Sequence, residues 1–148
     1  MTKSIFINLP VADLPRARTF YEAIGFVNEP RFTDDTAAAM RWSEAIFVML
    51  LTHAKWKGFT TRPIPDSGSS EVSLAISLDS RDEVDRVLAA AKDAGGTIDV
   101  NPPEDHGFMY QRTILDPDGH IWEPMWMDPA VANSDAHISE AATQEKVS

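Results

Sequence analysis

Glu123 is the carboxylate with the most to explain. It sits in DPDGHIWEPMW, residues 116–126, where an acidic turn runs into a strand-like stretch with Trp122 and Trp126 on either side. A carboxylate there has three possible uses: ligand to a cation, general base, or partner of a fixed guanidinium. Arg112, in MYQRTIL, is the nearest candidate for the last. The histidines His53, His106, His120 and His137 are scattered, no two at the i, i+4 spacing that sets a ligand pair on one helix face. With no cysteine, thiolate catalysis, thiolate metal sites and disulfides are excluded.

A hairpin must position these groups. If Asp116 to Gly119 form a four-residue turn, Leu115 opposes His120, Thr113 opposes Trp122 and Arg112 opposes Glu123. Opposed side chains share a sheet face, so Arg112 and Glu123 become neighbours, with Tyr110 beside Met125. The pair is then either a structural ion pair or a polar fork for a ligand's charged group. By alternation Trp122 and Trp126 fall on the other face, to pack under helices or at a subunit interface.

The rest of the chain repeats one pattern twice. In SIFINLPVADL, Ile5, Ile7, Leu9 and Val11 alternate with Phe6, Asn8 and Pro10, as in a strand with two distinct faces. Asp13 caps a predicted helix with Pro15 in its first turn, Ala17, Phe20, Tyr21 and Ile24 as its apolar stripe, and Gly25 as its stop. In the second half Leu74, Ile76 and Leu78 alternate with Ser73, Ala75 and Ser77. Ser80 and Glu83 form an S-x-x-E capping box, and Val84, Val87, Leu88 and Ala91 repeat the stripe before Gly95. Each strand–helix unit precedes three strand candidates, so the pattern predicts an α+β fold of two βαβββ modules. The modules span about residues 3–52 and 71–127 of one domain. Between them, residues 53–70 have a linker's composition, in which Trp56 and Phe59 serve as a lid or as anchors. Residues 128–148 are polar and are expected to form a flexible tail.

Composition narrows the partners. A net charge of −10 over 148 residues argues against nucleic acid, which needs a basic face. No apolar run reaches membrane-spanning length, and the opening MTKSIFINLP is too short for a signal-peptide core, so a cytoplasmic location is expected. A neutral, aromatic or cationic small molecule is compatible with the acidic balance.

The opening INLPVADLPRARTFYEAIGF, the second-half SLAISLDSRDEVD and the closing DPDGHIWE together resemble the vicinal-oxygen-chelate superfamily, the glyoxalase, bleomycin-resistance and extradiol-dioxygenase group, over residues 3–127. The resemblance implies two modules forming a strongly curved mixed sheet, a cup holding the site, and a homodimer. In metal-using members four cup positions supply ligands. They correspond here to Phe6, Met49 or Leu50, Ser73 and Glu123. Only Glu123 matches, so no metal or other cofactor is expected.

The expected pocket is therefore mostly apolar, built from Phe6, Asn8, Met49, Ser73, Ser77, Tyr110, Arg112 and Glu123, and suited to a small organic molecule. The expected function is binding of such a molecule with a degenerate metal site. The alternative is a glyoxalase- or dioxygenase-type enzyme, a lyase or oxidoreductase, in which Glu123 is catalytic and joins an atypical divalent metal site with a residue such as His106. A third reading is a metal-free isomerase or lyase that uses Glu123 or a lid residue.

Overall fold

The computed structural model describes residues 2–133. The first module opens with strand β1 (Ile5–Val11) and helix α1 (Leu14–Ala23). Asp13 caps α1 by accepting from the Arg16 amide at 3.1 Å, and the expected stripe of Ala17, Phe20, Tyr21 and Ile24 is buried. Strand β2 (Val27–Glu29), a 3₁₀ turn (Pro30–Phe32), β3 (Ala37–Ser43) and β4 (Ile46–Thr52) complete the module. Its sheet has the order β1-β4-β3-β2, with β1 and β4 parallel and the other neighbours antiparallel.

The segment after β4 is more ordered than its composition implies. Thr52 caps helix α2 (His53–Phe59), which packs on β4 and β1. Its Trp56 is partly buried, and among the described residues the buried indole N–H has no hydrogen-bond partner. Phe59 is exposed. Further on, Ser67 presses against Gly119, where its carbonyl would collide with any Cβ.

The second module repeats the first. Strand β5 (Ser73–Ser77) leads to helix α3 (Arg81–Asp93), capped by Ser80, which accepts from the Glu83 amide at 3.1 Å. The Glu83 carboxylate reaches back to the amide of Asp79, one residue before the cap, at 2.9 Å. Strands β6 (Thr97–Ile98) and β7 (Glu104–Asp105) pair with β9 (Ile114–Leu115) and β8 (Met109–Gln111), and these pair with β10 (Ile121–Met127). Strand β5 runs parallel to β10, as β1 does to β4. The internal duplication read from residue pattern is thus present in the topology. A short helix, α4 (Pro129–Ala132), follows; the rest of the expected tail lies outside the described residues.

One core joins the modules. Leu9, Val11, Met40, Val48 and Leu50 from the first sheet meet Ile76, Ile114 and Trp122 from the second, with the α1 and α3 stripes among them. At the junction the Tyr21 hydroxyl donates to Asp116 at 2.5 Å and accepts from the Trp122 indole N–H at 3.0 Å. The other Asp116 oxygen accepts the amides of Asp118 and His120, and the Asp118 carboxylate accepts the Ala12 amide at 2.9 Å. Because the helix-side faces supply the core, the opposite face of each sheet is left for function.

Candidate functional site

Strand alternation sends Phe6 and Asn8 of β1 away from the core. The parallel register places them beside Phe47 and Met49 of β4, and the antiparallel register adds Arg41 and Ala39 of β3. These strands floor a cavity of about 600 Å³, and Glu29, Arg31, Phe32 and Glu44 complete its walls. The Phe6 and Phe47 rings lie parallel, with centroids 4.7 Å apart and planes 8° apart, and Phe6 is 59% exposed.

The cavity's charged groups are not equivalent. Glu29 accepts from Arg31 through its side-chain nitrogens at 2.9 and 3.3 Å and through its amide at 3.4 Å. The Arg31 guanidinium holds the Glu29 carboxyl below the usual carboxylate range. Arg41 and Glu44 are exposed and make no ion pair or side-chain hydrogen bond among the described residues.

Phe6 and Met49 are the expected pocket residues that line this cavity; Asn8 is exposed on the same strand face. Ser73 and Ser77 lie on the corresponding face of β5, exposed, with Glu123 opposite Ala75. The second sheet therefore carries its own polar outer face, and none of these residues lines the first module's cavity.

The expected contact between Arg112 and Glu123 needs correction. The loop is shorter than the four-residue turn assumed: Asp116 pairs with His120, and Gly119 closes the turn at φ +90°. Trp122 consequently opposes Ile114, and the Arg112 amide donates to the Pro124 carbonyl at 3.1 Å. A slip of one residue moves a side chain to the other face of the sheet. Arg112 and Tyr110 thus lie on the helix side, away from Glu123. The Arg112 guanidinium grips Asp99 at 2.6 and 3.0 Å and reaches Asp85 of α3 at 3.0 Å, while the Tyr110 hydroxyl donates to Asp85 at 2.6 Å. Hydrogen bonding to Arg112 holds Asp99 below the usual carboxylate range. Trp122 lies in the core as expected, and Arg81 lies over the Trp126 and Tyr110 rings.

The ligand positions implied by resemblance do not fit a divalent ion. Of the two residues weighed for the second position, Met49 lines the cavity and Leu50 is buried in the core. Phe6 has no donor atom, Met49 offers a soft thioether, Ser73 a neutral hydroxyl and Glu123 the sole carboxylate. Among the described residues, no three His, Cys, Asp or Glu side chains converge in a group able to hold a metal. The His106 ring lies 3.7 Å from Glu104 and beside Phe108, and His120 contacts the Pro10 carbonyl at 2.8 Å. His53 begins α2, and His137 lies outside the described residues. No helix among the described residues is long and apolar enough to cross a membrane.

Two sheets of this topology, with a concave site and a paired internal repeat, define a class. The chain belongs to the Glyoxalase/Bleomycin resistance protein/Dioxygenase superfamily, whose family-level match spans residues 4–123. No curated protein matches it. Among solved structures, a hypothetical protein from S. aureus is similar at 25% identity and a TM-score of 0.71, covering 85% of this chain and 95% of that one. The bleomycin resistance determinant encoded on the transposon Tn5 is similar at 21% identity and a TM-score of 0.59, covering 86% and 99%. TnmS3, an antibiotic binding protein from Streptomyces sp. CB03234, is similar at 20% identity and a TM-score of 0.60, covering 86% and 97%. The fold is that of glyoxalase and bleomycin-resistance proteins, as the sequence motifs implied.

Proposed function

We propose that this protein binds a planar aromatic small molecule in the cavity of its first module, without a metal ion and without chemical conversion. The parallel Phe6–Phe47 pair, with Phe6 more than half exposed at the cavity, carries this reading. An exposed phenyl ring on a strand floor is costly in water, and covering one ring face is worth on the order of 1–2 kcal/mol. A flat ligand laid on the pair would recover that energy in a cavity of suitable size. The donor set at the inherited ligand positions supports a binder over a metal-dependent lyase or dioxygenase. The similarity to an antibiotic binding protein and a bleomycin resistance determinant is compatible with the same reading.

A homodimer belongs to this proposal. Light scattering at working concentration tests that part separately.

Calorimetric titration with naphthalene and quinoline derivatives tests the binding. Saturable binding that F6A and F47A each weaken at least about tenfold, a loss of about 1.4 kcal/mol, is expected. Binding indifferent to both substitutions, or turnover of a bound compound, would overturn the reading.

A further inference from the structure

We infer that the cavity's ligand is an aromatic anion, a ring system bearing a carboxylate or comparable group, whose charge is taken by Arg41. This rests on the proposed aromatic binding site and specifies its ligand class. Four charged residues line the cavity, two of each sign, so neither the wall nor the chain's net charge of −10 settles the matter by count. What matters is which charges are free to engage a ligand. Glu29 is occupied, accepting three hydrogen bonds from Arg31. Arg31 makes that ion pair with a largely exposed side chain and extends over the Phe32 ring, with its guanidinium carbon 5.5 Å from the ring centre.

Arg41 and Glu44 remain, and the strands place them differently. Arg41 is the register partner of Phe47, one of the two stacked rings, on the same face of a paired strand. A ligand lying on those rings would present its edge to the guanidinium. Glu44 sits in the turn between β3 and β4, beyond the last paired residues. A guanidinium also offers a planar fork of donors that matches a carboxylate in two parallel hydrogen bonds. The Arg41 side chain makes no hydrogen bond or ion pair among the described residues, although its charge also acts on the Glu29 carboxylate. Its guanidinium donors are thus left for a ligand, and with the aromatic floor they form one continuous recognition surface for a flat anion. A cationic ligand would lie on the same floor with its charge toward Arg41.

Three ligands of one ring system and different charge test this: 2-naphthoate, 2-naphthylmethanol and 2-naphthylmethylammonium, titrated calorimetrically into the full chain. The expected order is carboxylate tightest, by about tenfold over the alcohol, with the ammonium weakest. R41Q should abolish the carboxylate's advantage and leave the alcohol's affinity within about twofold. R41K should restore part of it, because charge returns without the fork. If the alcohol and ammonium bind as tightly as the carboxylate, and F6A weakens all three, the anion inference fails while the aromatic site stands. If none of the three binds, the aromatic site itself fails. Because Arg41 is exposed, loss of folding is not expected to confuse the result; circular dichroism of each variant checks this.

Discussion

The Tyr21 hydroxyl, from the first module's helix, donates to the Asp116 carboxylate, at the second module's turn, across 2.5 Å. Both residues are buried, and the same hydroxyl accepts from the Trp122 indole. This short relay crosses the junction between the two halves of the chain.

Replacing Tyr21 with Phe keeps the ring and removes both hydrogen bonds, leaving the Trp122 N–H and one Asp116 oxygen without partners in the core. The expected cost is about 1–3 kcal/mol of unfolding free energy, measured by urea denaturation. An unchanged midpoint would contradict the relay's structural role.

The pH dependence has a definite sign. Burial raises the Asp116 carboxyl above its ordinary value, so between the unfolded and the folded value the folded state binds more protons than the unfolded chain. Its contribution is therefore fully present below the unfolded value of about 4 and declines as pH rises through the raised folded value. Asp99 and Glu29, held low by arginines, act in the opposite sense, losing their stabilisation as pH falls. The difference between wild type and D116N isolates the buried group, and wild type should lose ground to the variant as pH rises from about 4.

Arg112 and Glu123 should behave as strangers. Replacing Arg112 with Gln strips its partner from half-buried Asp99 and from exposed Asp85, at an expected cost of about 1–2 kcal/mol. Replacing Glu123 with Gln should leave that cost unchanged, with a double-mutant coupling below about 0.5 kcal/mol. A larger coupling would restore the contact that the hairpin register removes.

Gly119 adopts φ +90°, and an added Cβ would strike the Ser67 carbonyl. G119A is therefore expected to lower stability by about 1–3 kcal/mol, through both backbone strain and displacement of the segment before β5. G58A, where nothing lies near the added carbon, serves as the comparison.

Metal should add nothing. Dialysis against a chelator is expected to leave the melting temperature unchanged, as is addition of Zn, Ni, Mn or Fe ions, since a tightly bound ion raises stability by mass action. A stoichiometric metal with a large thermal shift would revive the enzyme alternative.

Much of this fold was legible because it is written in periods. The α1 and α3 stripes follow helical spacing, their caps are local, and the alternation of β5 survives, as does that of β1 except that Ile5 is exposed and Pro10 buried. The second hairpin was not, because one residue in a turn decides which face every later side chain takes. Gly119 in a left-handed conformation shortened the loop and carried Arg112 and Tyr110 to the helix side. Helix α2 leaves no mark in the sequence pattern because its seven residues are too few to show a stripe. Alternation within β1 separates Phe6 from the core face, whereas Met49 comes together with Leu50 from the family resemblance alone, and the β1–β4 register decides between them. Arg41 is not readable by counting the β3–β4 hairpin outward, which from Ser43–Ile46 would set Trp42 beside Phe47; an irregularity between Arg41 and Ser43 puts Arg41 there instead. Glu29, Arg31 and Phe32 come from a strand end and a 3₁₀ turn, where no period points the side chain.

The relay at Tyr21 also makes the two repeats chemically unequal. Topological equivalence sets Leu88 where the first repeat has Tyr21, and Val48 where the second has Trp122. Two first repeats laid together would bury a phenol with no carboxylate to receive it; two second repeats would bury Asp116 with no phenol to meet it. Each like-with-like pairing strands a polar group in the interior, whereas the unlike pairing satisfies all three. The junction thus works as a key, admitting the complementary half and rejecting its twin. That would keep the duplicated halves in their proper partnership even though their backbones follow the same path.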